Sequence, residues 1–254
     1  MGASSTGCGR ATIATERSDR RVARLVISVC ALVAACVLAG AATATGNWRR
    51  VVLGLSVDHR PIIAYVGGDP SASRHVLVVG CIHGNEAAGT AITTVLTSLR
   101  VPAGVELWVI PYLNPDGAAA GTRGNAHGVD LNRNFPWHWQ HLTGLHYSGP
   151  KPLSEPESQI AYDLIRRVKP VVAIWFHQHL DLVDESGGNV VVERRFASLV
   201  HLRLMRLAHY PGSVVSWQNA KLHGTTAFVV ELPAGPLSAG SARMYAAAVL
   251  KVAQ

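Results

Sequence analysis

His83 and Glu86 stand three residues apart, directly after the apolar run Val76–Val79. The run predicts a buried strand, so both side chains are expected to leave its carboxyl end. A neutral imidazole nitrogen and a carboxylate oxygen are ligands that suit Zn²⁺, and a catalytic zinc site takes three protein ligands and leaves one position for water. Because a His-x-x-Glu pair also occurs by chance, it indicates a metal site only if the rest of the chain supplies the missing groups.

Other chemically useful groups follow apolar runs later in the chain. Each of these groups lies where a predicted strand ends. The groups are the turn Asn114-Pro115-Asp116-Gly117, His177 and Glu231. In an α/β sheet, ligands bind beyond the carboxyl ends of the strands. These groups are therefore expected to meet His83 and Glu86 at one edge of the sheet.

The elements that must position these groups alternate along the chain. Strands are predicted at Val51–Ser56, Ile62–Val66, Val76–Ile82, Val105–Pro111, Val171–Phe176 and Thr225–Val230. Helices are predicted at Glu86–Leu99, from Ser154 as N-cap to Lys169, from about Arg194 to Ala208, and at Ala239–Val252. The first two strands predict an antiparallel hairpin. The fold class is thus α/β, with a mixed, mostly parallel central sheet and helices on both faces.

A long stretch between residues 114 and 152 shows little periodicity after its initial turn. A loop of that length inside a compact domain is either functional or a sign that an element was overlooked.

The amino-terminal segment has the composition of a targeting sequence. Residues 25–48 carry no charge, and Arg17, Arg20, Arg21 and Arg24 precede them. We expect residues 1–44 to be an export signal or a membrane anchor, with lipidation at Cys36 as a third possibility, and residues 45–254 to be a single catalytic domain. The protein is therefore expected outside the cytoplasm, secreted or anchored to the cell membrane.

Charge and cysteine content narrow the function further. The net charge of +7 is small, and it lies partly in the leader, where five arginines stand against two acids up to residue 24. The surplus forms no basic block, so nucleic-acid binding is not indicated. Cys81 is the only cysteine after residue 44, so the domain has no internal disulfide, and the thiol is expected to be a packing residue.

The motifs together resemble those of the zinc carboxypeptidase family. They are His83-x-x-Glu86, Asn114-Pro115-Asp116-Gly117, Gly128-Val129-Asp130-Leu131-Asn132-Arg133-Asn134-Phe135, His177 and Glu231-Leu232. They span most of residues 76 to 235, in the order that the family shows. The short chain and its export signal look most like the small murein peptide amidase branch, which cleaves the γ-D-glutamyl bond to diaminopimelate.

The resemblance implies one zinc ion per chain, bound by His83, Glu86 and His177. It makes Glu231 the general base, and a carboxylate suits that role because zinc-bound water has a pKa of about 7. His179 is the competing candidate for the third ligand, since it lies on the same side of an extended chain. A structural role for Glu231 is the alternative, although an acid that ends a valine-rich strand is costly unless it is used.

The resemblance also assigns the substrate contacts. Arg123 corresponds to the arginine that polarises the scissile carbonyl, with a solvated loop residue as the alternative. Asn132 and Arg133 correspond to the pair that holds the terminal carboxylate, for which a planar guanidinium is well suited. The mobile tyrosine of larger carboxypeptidases has no secure counterpart, and Tyr210 is the nearest residue.

The function expected from the resemblance is hydrolysis of an amide bond next to a free carboxylate in a peptide. The resemblance to the murein peptide amidase branch implies that this peptide comes from murein. The alternatives are an aspartoacylase-like deacylase of N-acyl amino acids, a general metallocarboxypeptidase, and a metal-free binding module that would require a lost ligand. Asp181, Asp184 and Glu185 follow His177 and either meet a cationic group, such as the diaminopimelate amine, or form an exposed acidic loop.

Overall fold

The computed structural model describes residues 47–254, so the signal or anchor predicted for residues 1–44 lies outside it. The strands are β1 Arg49–Leu55, β2 Pro61–Gly68, β3 Arg74–Val79, β4 Val105–Ile110, β5 Val172–Gln178, β6 Leu182–Asp184, β7 Arg203–Met205 and β8 Thr226–Leu232. The helices are α1 Gly89–Leu96, α2 Pro115–Ala120, α3 Pro156–Val168, α4 Val190–Leu199, α5 Val214–Lys221 and α6 Ala239–Val252. None of the helices in this described range is long and apolar enough to cross a membrane.

The eight strands form one mixed sheet in the order β1-β2-β4-β3-β5-β8-β6-β7. Its centre is parallel, since β3 pairs in parallel with β4 and β5, and β5 with β8. Antiparallel pairs join β1 to β2, β2 to β4, and β6 to β8. The predicted fold class and the predicted amino-terminal hairpin are both confirmed.

Helices cover both faces of the sheet. Along β3, Val76 and Val78 pack on the side of α1, α4 and α6, whereas Leu77 and Val79 pack on the side of α3 and α5. Successive side chains of a strand point to opposite faces, so a central strand must be apolar at every position. This two-sided burial holds the carboxyl ends of β3, β5 and β8 in fixed relation to one another.

Several predicted boundaries were wrong. The helix expected from Arg194 to Ala208 ends at Leu199, and Arg203–Met205 instead forms β7, which pairs with β6. His201 has a φ of 58° and lies outside any helix. Tertiary strand pairing overrides helix propensity here.

Helix starts also differ from the predictions. Glu155, not Ser154, is the N-cap of α3, and the Ser154 hydroxyl donates to the Glu155 carboxylate. Helix α1 begins at Gly89, three residues after the predicted start. Strand β6 and helices α2 and α5 were not predicted. The segment Asn114-Pro115-Asp116-Gly117, predicted as a turn, is the capped first turn of α2, with Asn114 as the N-cap.

After α2, the aperiodic stretch has only short 3₁₀ turns and is held in place by buried amides. The Asn134 side chain donates to the carbonyls of Ser148 and Lys151 and to the Ser154 hydroxyl. The Asn125 amide donates to the carboxylates of Glu155 and Glu157. Backbone groups in an irregular segment need such partners when they are buried. The stretch is therefore an ordered segment that can carry site residues.

Candidate active site

The carboxyl ends of three parallel strands bring the predicted site residues to one place. His177 near the end of β5 is the register partner of Glu231 on β8. Val79 at the end of β3 pairs with Trp175 of β5, and the chain reaches His83 four residues later. A one-residue change in register would turn either side chain to the opposite face.

His83, Glu86 and His177 converge on one point. Glu86 Oε2 lies 3.0 Å from His83 Nδ1 and 3.1 Å from His177 Nδ1, and the two imidazole nitrogens are 3.1 Å apart. All three residues are at least nine-tenths buried. In the part of the chain that the structure describes, this is the one group of three such residues whose geometry could hold a metal ion. His179 is exposed and does not belong to it.

Asp130 fixes the proton on His83. One carboxylate oxygen of Asp130 lies 2.9 Å from His83 Nε2. An ionised carboxylate only accepts hydrogen bonds, so the proton of a neutral His83 resides on Nε2 and the lone pair of Nδ1 faces His177 and Glu86. Carboxylate-bound histidines of this kind are typical zinc ligands. The two nitrogens and one oxygen therefore fit a zinc ion.

Arg123 joins two of the acidic groups. Its Nη1 donates to Glu86 at 2.7 Å and its Nε donates to Asp130 at 2.9 Å. Burial alone would raise the pKa of the Asp130 carboxyl, but His83, Arg123 and Arg133 together lower that pKa below its usual range. Burial likewise opposes ionisation of Glu86, and the adjacent His177 and His83 imidazoles lower its pKa below the usual range. Both carboxylates are thus held in the ionised form.

Glu231 lines the same cavity as the three converging residues. Its Oε2 atom is buried and has no hydrogen-bond partner among the described residues. A buried carboxylate oxygen without a partner is costly unless a ligand or water molecule completes it. Glu231 is therefore free to accept a proton from a molecule bound beside His177.

Arg133 and Asn132 lie in a short 3₁₀ turn, Leu131–Arg133, whose N-cap is Asp130. Arg133 is 5% exposed and donates through Nη1 to the Asn132 carbonyl, while its Nε is buried without a partner among the described residues. Burial lowers the pKa of the guanidinium below its ordinary value. Asn132 accepts from the Val214 backbone N–H, which leaves its amide nitrogen for a substrate. A buried guanidinium with an unused donor suits an anionic group.

Apart from Asp130, which lies behind His83 and Arg123, all of these groups line a cavity of about 170 Å³. Tyr210, which is half-exposed, also lines it, and its ring centre lies 4.4 Å from the Arg133 guanidinium carbon. Gly212 has a φ of 75°, and a Cβ there would overlap the Arg133 backbone. Glycine is thus required where the Tyr210 segment crosses Arg133.

The sequence matches the model of the zinc carboxypeptidase family over residues 39–183. The chain belongs to this family. It is 34% identical over 178 residues to murein peptide amidase A of Escherichia coli K12, covering 62% of this chain and 72% of that protein. It is 32% identical over 203 residues to murein peptide amidase A of Vibrio campbellii, covering 73% and 79%. The crystal structure of murein-tripeptide amidase from E. coli O157 superposes with a TM-score of 0.67 and 28% identity, covering 80% and 91%.

Membership of the zinc carboxypeptidase family makes the protein a metallopeptidase. The predicted family and the predicted enzyme class are confirmed. The family is zinc-dependent, and the His83, Glu86 and His177 group can bind a metal ion.

Asp130 belongs to the Gly128–Phe135 motif, but no role was predicted for it from the sequence. The structure places it at the centre of the site, in contact with His83, Arg123 and the Asn132 backbone. A signal was present, because Asp130 lies between Val129 and Leu131 in an apolar context, where a charge requires partners.

Proposed function

We propose that this metallopeptidase is exported and hydrolyses the amide bond between γ-D-glutamate and diaminopimelate in murein-derived peptides. The observation that carries the proposal is the convergence of three groups in one cavity: the potential zinc ligands, the Glu231 carboxylate, whose Oε2 has no partner among residues 47–254, and the buried Arg133 guanidinium. Their combination suits a substrate whose scissile amide lies next to a free carboxylate.

Each residue of the site has a separate role in the proposed reaction. Arg133 and the Asn132 amide bind the free carboxylate and thereby orient the substrate. Arg123 uses Nε and Nη1 for Asp130 and Glu86, which leaves Nη2 for the carbonyl oxygen as negative charge develops on it. A zinc ion bound by His83, Glu86 and His177 would polarise that carbonyl and lower the pKa of water.

Glu231 handles the proton. Its carboxylate accepts a proton from the attacking water and delivers it to the leaving nitrogen. The position of Glu231 beside His177 supports this role, as does its Oε2 atom, which has no hydrogen-bond partner in the described part of the chain.

The choice of a murein peptide is supported by the relatives named murein peptide amidase A. The proposal of export rests on the arginines and the uncharged stretch of residues 25–48.

A substrate panel tests the proposal on the zinc-loaded full chain. The panel contains L-Ala-γ-D-Glu-diaminopimelate, its α-linked counterpart, its form amidated at the carboxylate next to the scissile bond, and an N-acetyl amino acid. We expect the highest kcat/KM for the γ-linked acid and strong suppression by amidation, because an amide leaves the Arg133 guanidinium desolvated and unpaired.

Other outcomes of the panel identify a different enzyme. A higher kcat/KM for the α-linked peptide would indicate a general metallocarboxypeptidase and not a murein peptide amidase. Preference for the N-acetyl amino acid would indicate the deacylase, and equal rates on acid and amide would remove Arg133 as the carboxylate anchor.

A further inference from the structure

The catalytic cavity has a second wall that none of the steps above uses. It is formed by the end of β6, the segment before α5 and the first turn of α5, and its residues include Asp184, Leu207, Ala208, Val215 and Ser216. Most of these side chains are apolar, and Asp184 is the acid among them.

The sheet register locates Asp184 relative to Glu231. Strand β6 runs antiparallel to β8, with Leu182 opposite Glu231 and Val183 opposite Val230. Continuing this pairing places Asp184 level with Val229, two residues along β8 from Glu231 and lining the same cavity. Two residues of a strand span roughly 7 Å. The four-carbon stem of a lysine-like side chain can cover that distance from a scissile bond held beside Glu231.

Asp184 is held firmly but only by neutral groups. It is 5% exposed, its Oδ1 accepts from the Leu207 backbone N–H at 2.8 Å, and its Oδ2 accepts from the Ser186 hydroxyl at 2.7 Å. The Ser186 oxygen in turn accepts from the Val229 backbone N–H, which ties Asp184 to β8. These contacts fix the carboxylate at the cavity wall.

The charge of Asp184 has no cationic partner within the described residues, since the groups that donate hydrogen bonds to its carboxylate are a backbone amide and a hydroxyl. Glu86 and Asp130, by contrast, each contact Arg123 and a histidine. A buried carboxylate that lacks an opposite charge carries a desolvation cost that a cationic ligand would offset.

We propose that Asp184 is a specificity-determining residue, which selects substrates bearing an amine on the side chain of the residue that carries the free carboxylate. The inference rests on the proposed function, because it assumes that this residue is anchored by Arg133. Leu207, Val215 and Val229 contact the methylene stem, and Asp184 accepts a charge-assisted hydrogen bond from the ammonium group. Diaminopimelate and lysine have this chemistry, whereas norleucine and 2-aminopimelate do not.

The competing explanation is that Asp184 serves only to satisfy Leu207 and Ser186. Asp184→Asn separates the two roles, because its Oδ1 still accepts from Leu207 and its amide can still bond Ser186, but the negative charge is lost. Glu185→Gln is the matched control, since Glu185 is adjacent and does not line the cavity. Its backbone N–H donates to Met205 and is unaffected by the change.

The test compares two γ-D-Glu peptides that differ only in the side-chain amine, one ending in diaminopimelate and the other in 2-aminopimelate. We expect the zinc-loaded wild type to favour the amine by about 10- to 100-fold in kcat/KM, the range given by one hydrogen bond to a charged group. Asp184→Asn should bring that ratio close to one without lowering kcat/KM for 2-aminopimelate. Glu185→Gln should keep the wild-type ratio.

Three results would overturn the proposal: a wild-type ratio near one, an equal loss on both peptides in Asp184→Asn, or the same loss of preference in Glu185→Gln. If Asp184→Asn does not fold, the wild-type ratio decides alone. If the wild type cleaves only α-linked peptides, the same comparison is made with α-linked peptides that end in lysine or norleucine. The ratio of their kcat/KM values then tests Asp184 even though the murein proposal has failed. If no peptide is cleaved, calorimetric binding of free diaminopimelate against 2-aminopimelate provides the comparison.

Discussion

The two ends of the catalytic cavity satisfy their charges in opposite ways. At the metal end, Glu86 and Asp130 share Arg123 and also contact histidines, so each charge has an opposite charge within hydrogen-bond distance. At the side-chain end, Asp184 is buried to a similar degree, but within residues 47–254 it accepts hydrogen bonds only from neutral donors. The carboxylates beside the potential metal site are therefore paired with positive groups of the chain itself. The carboxylate where a substrate side chain would bind has no such partner among the described residues.

This difference separates catalysis from specificity. Removing a charge from the metal end disturbs its neighbours, because the groups are coupled. Removing the charge of Asp184 should change substrate choice and leave the metal site intact. Substitutions at increasing distance from the scissile bond therefore test the comparison.

The largest expected effect is that of Glu231→Gln. The neutral amide cannot accept a proton from water, so kcat should fall by about 10² or more. Zinc content and thermal unfolding should stay at wild-type values, since Glu231 is outside the metal ligand group. Steady-state kinetics and metal analysis check both points. Retention of more than about a tenth of the wild-type kcat would remove Glu231 from the mechanism.

A smaller effect is expected for Asp130→Asn, which keeps the shape of the side chain but removes the charge that holds His83 and Arg123. Zinc affinity should weaken by about 10- to 100-fold, as is typical when the partner of a ligating histidine is changed. Competition with a chelator measures this affinity. Asp163→Asn on the exposed face of α3 is the control. An unchanged zinc affinity in Asp130→Asn would show that the charge of Asp130 is not needed to hold His83 and Arg123 for metal binding.

No effect on catalysis is expected for Glu193→Gln in α4. Glu193 is fully buried, with Oε1 accepting from the Gly188 N–H and Oε2 without a partner among the described residues. Burial, assisted by negative charge on Asp184 and Glu185, raises the pKa of Glu193 to about 7.

The sign of the resulting pH dependence follows from proton binding. Between pH 4.5 and about 7 the folded state retains a proton that the unfolded state has released, so the free energy of unfolding decreases as pH rises through this window. Glu193→Gln is neutral throughout and should be more stable than wild type above pH 7, by up to about 3 kcal/mol, since each pKa unit corresponds to about 1.4 kcal/mol. Urea unfolding at pH 5 and pH 8 measures the difference. An identical pH dependence in both proteins would contradict the raised pKa.

The sequence alone determined the parallel centre of the sheet and the order of its groups. Continuous apolar runs such as Val76–Val79 predict central strands, and polar residues that end such runs must gather at one edge. His83, Glu86, His177 and Glu231 were selected as candidates in this way because the relevant signals are local, and the structure brings them to one cavity.

Only the tertiary structure decided the rest. Strands β6 and β7 have three residues each, too few to show a period, and they exist because β8 and β6 pair with them. The burial of Asp184 depends on those pairings and on Leu207, which lies 23 residues away. In the sequence Asp184 is equivalent to an exposed loop acid, because burial and the absence of a counter-charge are properties of distant neighbours. The role of Asp130 could not be predicted for the same reason, because its partners His83 and Arg123 are brought together only by the folded chain.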